Sequence, residues 1–286
     1  MTSPAPLRYN VPRGDFMKIK KILNIVIVAA LLVVFVVSAF MVGRYFINSK
    51  KQADQFDELS QMVNKPTESK APTQPAETAA APTEQTAPQQ QSQEPQILPE
   101  YADVYALNGD MAGWIRIEGT KIDYPVMYTP ERPNYYLKRD FKGNHSDWGT
   151  IYMREECDIN KPSDNITLYG HCMNDGSMFA ALHNYSNKDF WEKHKEIFFD
   201  TLTEYHVYEI FSVFKTSANL GEGFAYHQMV DAENEKEFND FIAECKKLSF
   251  YDTGITPVYG DKIICLSTCE YSMDNGRLVV AARRIA

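Results

Sequence analysis

A long apolar segment near the N-terminus constrains this chain more than any other feature of its sequence. Residues 22–42 are apolar except for Asn24 and Ser38, and this length matches the ~20 residues that a helix needs to cross a bilayer. A cleaved signal peptide has a shorter apolar region of ~7–15 residues, followed by a small-residue cleavage site. Residues 22–43 are therefore predicted to form an uncleaved transmembrane signal-anchor helix.

The basic residues on either side of this segment predict its orientation. Five lie within residues 1–21, whereas three follow within residues 44–51. Because basic flanks tend to stay in the cytoplasm, we expect a cytoplasmic N-terminus over residues 1–21. The rest of the chain is then extracellular, in a single-pass protein of the cell membrane.

The composition changes abruptly after the apolar segment. No aromatic residue occurs between Phe56 and Tyr101, and residues 65–96 are mostly Pro, Thr, Ala, Gln and Glu. Such a sequence buries too little apolar surface to offset the entropy lost on ordering. Residues 44–97 are therefore predicted to be a disordered linker, with at most a turn or two of helix at 56–63.

Residues 98–286 have the pattern of a folded domain. Short apolar runs between turn residues predict strands at 113–117, 122–126, 149–153, 166–169, 205–214, 263–271 and 277–282. Periodic apolar residues predict helices at 101–107, 177–185, 188–194 and 233–248. Many short strands with helices inserted between them indicate a mainly β (α+β) fold, either a barrel or a sandwich.

Charge and cysteine content exclude several classes of function. The formal net charge of −9 argues against a nucleic-acid partner, because phosphate binding needs a basic face. The five cysteines form no Cys-x-x-Cys pair, so we expect free thiols with no structural zinc. The histidines other than His171 have no potential ligand at metal-binding spacing, and no metal or cofactor is expected.

Two predicted strands end at residues that can perform nucleophilic chemistry. One strand reaches Cys269 and the next begins with Arg277, while the strand at 166–169 stops just before His171. A thiol, an imidazole and a guanidinium can supply the nucleophile, the proton carrier and the oxyanion donor of acyl transfer. The residues alone do not show that these groups meet, and a core cysteine with a surface arginine is the alternative.

Three motifs in this order resemble those of the class B sortases. They are Gly113–Val126 (GWIRIEGTKIDYPV), Tyr169-Gly170-His171, and Leu266-Ser267-Thr268-Cys269 followed by Arg277. The helix at 233–248, before the cysteine strand, also resembles the inserted helix of that class. The resemblance covers residues 98–286 and implies an eight-stranded sortase-type β-barrel.

The activity implied by this resemblance is that of a membrane-anchored cysteine transpeptidase. Such enzymes cut the C-terminal sorting signal of an exported surface protein after Thr and hold the acyl group as a thioester. They then transfer it to an amine of the cell wall, on a peptidoglycan precursor or a cross-bridge, in a Gram-positive-type envelope. By the same resemblance Cys269 is the nucleophile, His171 the acid/base, and Arg277 the oxyanion or substrate clamp.

The resemblance also implies a set of groove residues. By this resemblance, seven residues are expected to contact the sorting signal: Tyr169, Ser267, Thr268, Glu270, Asn134, Tyr136 and Leu137. One position departs from the class, because the residue after the Gly-His pair is commonly Asn and is here Cys172. A tolerated small side chain is one explanation, and a disulfide with Cys269 under oxidation is the other.

Other functions stay open from the sequence. A cysteine peptidase would give the same thioester to water, and an adhesive or scaffolding module would bury Cys269 without using it. A thiol oxidoreductase is disfavoured because Cys265 and Cys269 lie four residues apart on one predicted strand. That spacing separates them by ~13 Å, too far for a disulfide.

Overall fold

Helix α1, Arg13–Val63, is the first element of the computed structural model, which describes residues 13–64, 96–219 and 221–286. The helix contains a segment long and apolar enough to cross a membrane, and the large apolar side chains between Ile22 and Val42 are exposed. This part of α1 is a candidate membrane anchor. Most of the predicted linker, residues 65–95, lies outside the described residues.

Eight strands form the second part of the structure. They are β1 (Met111–Arg116), β2 (Asp123–Met127), β3 (Ile151–Met153), β4 (Asn165–Tyr169), β5 (Glu196–Thr201), β6 (Val207–Ser217), β7 (Ile263–Glu270) and β8 (Gly276–Arg284). They close into a barrel in the order β1-β2-β3-β4-β7-β8-β6-β5. The β2–β3 and β4–β7 pairs are parallel, and the other neighbours are antiparallel. The predicted eight-stranded barrel is confirmed.

Helices fill the connections between strands. They are α2 (Pro99–Leu107), α3 (Lys188–Lys193), α4 (Glu235–Leu248) and two 3-10 helices, Tyr135–Lys138 and Ala180–Ser186. Asn234 caps α4, since its side chain accepts a hydrogen bond from the backbone N–H of Glu237 at 3.1 Å. The apolar face of α4 packs against β6, β7 and β8, which gives the strand that carries Cys269 a firm support.

The structure differs from the sequence-based expectation at the start of the predicted linker. Helix α1 continues past residue 43 to Val63, because residues 44–63 contain no Pro or Gly and each added residue gains a backbone hydrogen bond. The chain divides into two units after Lys51. The last turns of α1, from Gln52, therefore belong to the same unit as the barrel.

Residues 52–63 of α1 dock against the barrel by one face. Phe56 and Leu59 are 5% and 2% exposed, and the Phe56 ring lies edge-on to Tyr124 with centroids 5.0 Å apart. The Oε1 atom of Gln52 accepts a hydrogen bond from the Ser146 hydroxyl at 2.9 Å. The folded unit thus begins at Gln52, earlier than the predicted boundary at residue 98.

Replacing Phe56 with alanine is expected to destabilise the chain from Gln52 onward by about 3 kcal/mol, the range for removing a buried phenylalanine ring. Urea unfolding followed by tryptophan fluorescence measures this difference. Glu58→Ala, at an exposed position of the same turns, should shift stability by less than about 0.5 kcal/mol. Equal stability of the two variants would show that these turns do not dock in solution.

Candidate active site

The parallel pairing of β4 with β7 brings the two predicted strand ends together. Tyr169 lies opposite Ser267 in the register, and the N–H of Gly170 donates to the Ser267 carbonyl at 3.1 Å. The chain therefore leaves β4 beside the last residues of β7. His171 follows at once and lies next to the segment that carries Cys269.

The antiparallel pairing of β7 with β8 places Cys269 directly opposite Arg277. Side chains of opposed residues point to the same face of a sheet, and residues two apart along a strand share that face. Ser267 therefore lies on the same face as Cys269. The register accounts for a thiol and a guanidinium side by side.

An open groove of about 370 Å³ contains the three residues that were predicted to be catalytic, Cys269, His171 and Arg277. Five of the predicted substrate-binding residues also line it: Asn134, Leu137, Tyr169, Ser267 and Thr268. The structure thus gathers into one cleft residues that lie up to 143 positions apart, from 134 to 277. Their individual roles stay predictions.

The backbone at Cys269 is held by a histidine that sequence reasoning did not select. The Nε2 atom of His183 donates to the Cys269 carbonyl at 3.0 Å. His183 lies in the second 3-10 helix, which carries no motif around it. This bond fixes the end of β7 where the thiol is presented, and the Cys269 side chain is partly exposed to the groove.

The side chains of His171 and Arg277 hydrogen-bond to backbone carbonyls. The His171 ring contacts the carbonyl of Leu137 through Nε2 at 2.7 Å. Arg277 uses Nη1 to donate to the carbonyls of Gly276 at 2.9 Å and Asn275 at 3.3 Å. A guanidinium has five N–H donors, so others can serve a substrate oxygen.

Two strand residues before Cys269 contribute hydroxyl groups. The Ser267 hydroxyl and the phenol of Tyr226 are 2.6 Å apart in a buried contact, so Ser267 already has a hydrogen-bond partner. Thr268 is 2% exposed, and within the described part of the chain its Oγ1 has none. Leaving a hydroxyl buried without a partner is costly. Because neighbours on a strand point to opposite faces, the Thr268 side chain lies on the opposite face of β7 from Cys269.

Two predicted groove residues lie elsewhere. Glu270 is 6% exposed and pairs with Lys215 at 2.7 Å. Burial alone would raise the pKa of Glu270, but hydrogen bonds from Lys215 and Ser272 outweigh it and leave the pKa below its usual value. Tyr136 is buried and hydrogen-bonds to Asp110 at 2.8 Å. Both side chains support the structure around the groove.

Two residues outside the predicted set also line the groove. Arg154 and His227 line it, and neither belongs to a recognisable motif. Burial lowers the pKa of His227, and the positive charge of Arg154 lowers it further. Burial raises the pKa of Tyr169, whereas the Arg154 guanidinium partly offsets this by lowering it.

All five cysteines are free, but their surroundings differ. Cys157, Cys245 and Cys265 are buried, and burial raises the pKa of Cys157 to about 11, so these thiols are unreactive. Cys172 is partly exposed, and its pKa is raised by burial and by the neighbouring Cys269. The two explanations for Cys172, a tolerated side chain and an oxidisable partner, stay predictions.

The part of the chain that the structure describes has no cluster of side chains suited to bind a metal ion. Among residues 20–64, 96–219 and 221–286, no group of three or more His, Cys, Asp or Glu side chains is placed to hold an ion. The groups that converge at the groove are a thiol, an imidazole and a guanidinium. That set is suited to acyl transfer through a covalent intermediate.

Comparisons with known proteins agree with this geometry. The sortase domain family matches residues 115–285. The chain is 32% identical to sortase B of Staphylococcus aureus, over 66% of this chain and 76% of that protein, and 34% identical to sortase B of Listeria monocytogenes at the same coverage. A Staphylococcus aureus sortase B–substrate complex matches with a TM-score of 0.67 and 28% identity, over 84% of this chain and 98% of that chain. The chain therefore belongs to the sortase family, and within it to class B.

Proposed function

We propose that this protein is a cysteine transpeptidase that joins exported surface proteins to an amine of the cell wall. The observation that carries the proposal is the convergence of Cys269, His171 and Arg277 in one open groove. A structural relative was solved as a sortase B–substrate complex, which supports a groove that accepts a sorting signal. The apolar part of α1 would anchor the enzyme in the cell membrane, with the N-terminus in the cytoplasm and the barrel outside.

The first half of the reaction forms a thioester. The Cys269 thiolate attacks the carbonyl of the Thr residue of the sorting signal, and Arg277 donates hydrogen bonds to the oxyanion that develops. The C–N bond then breaks, and His171 gives its proton to the leaving amine. The C-terminal fragment departs, and the acyl group stays on Cys269.

The second half transfers the acyl group. An amine of a peptidoglycan precursor or cross-bridge attacks the thioester, and His171 takes a proton from it, as microscopic reversibility requires. The C–S bond breaks and a new amide bond forms, which releases the Cys269 thiolate. A peptidase that gives the thioester to water would share the first half, so the acceptor distinguishes the two functions.

A library of quenched pentapeptides, tested with and without an amine acceptor, measures this activity. We expect cleavage of a subset after Thr, and conversion of those peptides to the ligated product when the amine is present. Cleavage with no ligated product would indicate a peptidase. Cleavage of no peptide by folded protein would favour a surface interaction module.

A further inference from the structure

The contact between His171 and the first 3-10 helix defines which ring nitrogen carries the proton. His171 Nε2 lies 2.7 Å from the backbone carbonyl of Leu137. A carbonyl oxygen can only accept a hydrogen bond, so Nε2 must be the donor. In a neutral imidazole the other nitrogen, Nδ1, then carries the lone pair.

We propose that the Leu137 carbonyl is a positioning group that keeps His171 in the Nε2–H tautomer, so that Nδ1 is the atom that exchanges protons during catalysis. The inference rests on the proposed acid/base role of His171. When Nδ1 is protonated as well, the bond to the carbonyl becomes charge-assisted and therefore stronger. The Nε2–H bond to the Leu137 carbonyl is therefore present in both the neutral and the protonated imidazole, and it opposes a flip of the ring.

The Leu137 carbonyl is fixed from one side by Gly149. Gly149 is buried and has a φ of +62°. A Cβ atom at this position would lie 2.5 Å from the Leu137 oxygen and 2.8 Å from the Tyr136 oxygen. The backbone of residue 149 therefore packs directly on the carbonyl that holds His171, and only glycine permits this approach.

A hydrogen-bonded turn holds the backbone N–H of Leu137. The N–H of Leu137 donates to the Asn134 carbonyl at 3.0 Å. Asn134 has a φ of +56°, and its Oδ1 accepts a hydrogen bond from the Tyr152 hydroxyl at 2.9 Å. Because Tyr152 belongs to β3 and is 7% exposed, the turn is tied to the barrel wall.

The turn that carries the Leu137 carbonyl also lies at the groove. Asn134 and Leu137 both line the groove, and the Leu137 side chain is 38% exposed. A sorting signal that packs on Leu137 therefore touches the residue whose carbonyl holds His171.

Gly149→Ala and Gly143→Ala form a matched pair that tests the positioning role in the full chain. Gly143 also has a positive φ, +81°, but a Cβ there meets nothing closer than the Tyr135 hydroxyl at 3.6 Å. Both variants thus carry the same kind of backbone strain, and only Gly149→Ala displaces the Leu137 carbonyl. We expect Gly149→Ala to lower kcat by about 10- to 100-fold with KM within about threefold, and Gly143→Ala to stay near the unaltered protein. Equal kcat values for the two variants would overturn the inference.

Nitrogen NMR of the unaltered full chain tests the tautomer directly, whatever the stability of the variants. In detergent micelles, with ¹⁵N-labelled histidine, the His171 signals are identified by their loss in His171→Gln. At alkaline pH we expect a protonated Nε2 and an unprotonated Nδ1. A protonated Nδ1, or an even mixture of tautomers, would overturn the inference.

The two measurements separate this inference from the proposed function. If His171→Gln keeps full turnover, the acid/base role is wrong, whichever tautomer is observed. If His171 is essential but Nδ1 carries the proton, the catalytic role stands and only the positioning by Leu137 is wrong.

Discussion

Cys269→Ala is expected to lower both cleavage and amine transfer by about 10³-fold or more, because the variant has no atom to form the thioester. The side chain faces the groove from the end of β7, opposite Arg277. Steady-state turnover of a cleaved peptide, with unfolding measured in parallel, gives the result. The change is small in volume, so the folded structure should persist.

Cys172→Ala is the matched control, since it makes the same substitution at the other partly exposed thiol. Cys172 is not among the groove-lining residues, and its raised pKa keeps it protonated near neutral pH. We expect turnover within about threefold of the unaltered protein. Retention of a tenth or more of the activity by Cys269→Ala, or equal losses in the two variants, would contradict the assignment.

His171→Ala is expected to slow cleavage of peptide substrates by about 10²- to 10⁴-fold, the usual contribution of a general acid–base group. A peptide amide needs a proton on its leaving nitrogen, whereas a thioester substrate loses a stable thiolate. The variant should therefore acylate Cys269 from a thioester substrate far more readily than from the peptide. Burst measurements of the two substrates with one enzyme give this ratio.

His145→Ala is the control, because His145 is exposed and is not among the residues that line the groove. It should leave both substrates unaffected. If His171→Ala loses the same factor on the peptide and on the thioester, the residue contributes to folding or binding and not to protonation of the leaving group. The acid/base role would then be wrong.

The sequence predicted most of the barrel because local signals specify strands. Apolar runs bounded by turn residues correspond to β1, β2, β3, β4, β6, β7 and β8. Strand β5, Glu196–Thr201, was missed, since it follows α3 after only two residues and has charged or polar residues at both ends. The closed order and the two parallel pairs depend on long-range pairing, which no local pattern contains.

The apolar segment of α1 stays a candidate anchor, whereas the region that follows it differs from the prediction. The linker prediction for residues 44–97 allowed at most a turn or two of helix at 56–63, whereas helix α1 runs without a break to Val63. Phe56 and Leu59, spaced three residues apart, are the local sequence signal for the docked face of this helix. A single apolar pair is weak evidence for a helix, and its partner Tyr124 lies far along the chain.

The site was predictable where residues sit at strand ends and unpredictable where loops contribute. Cys269, His171 and Arg277 follow from motifs on β4, β7 and β8. By contrast, His183 and Tyr226 come from connections without a motif, and their contacts exist only after folding. The resemblance implied a groove position for Glu270, but neighbours on a strand point to opposite faces, and the Glu270 carboxylate pairs with Lys215.

Mass spectrometry of the trapped intermediate tests the central claim most directly. The chain from Gln52 onward is mixed with a cleaved peptide, quenched in acid within the first turnover and digested. We predict an added mass equal to the peptide up to its Thr residue, on the fragment that contains Cys269. An amine acceptor should remove this mass and yield an equal amount of ligated product. An adduct on another residue, or no adduct during active turnover, would contradict the account.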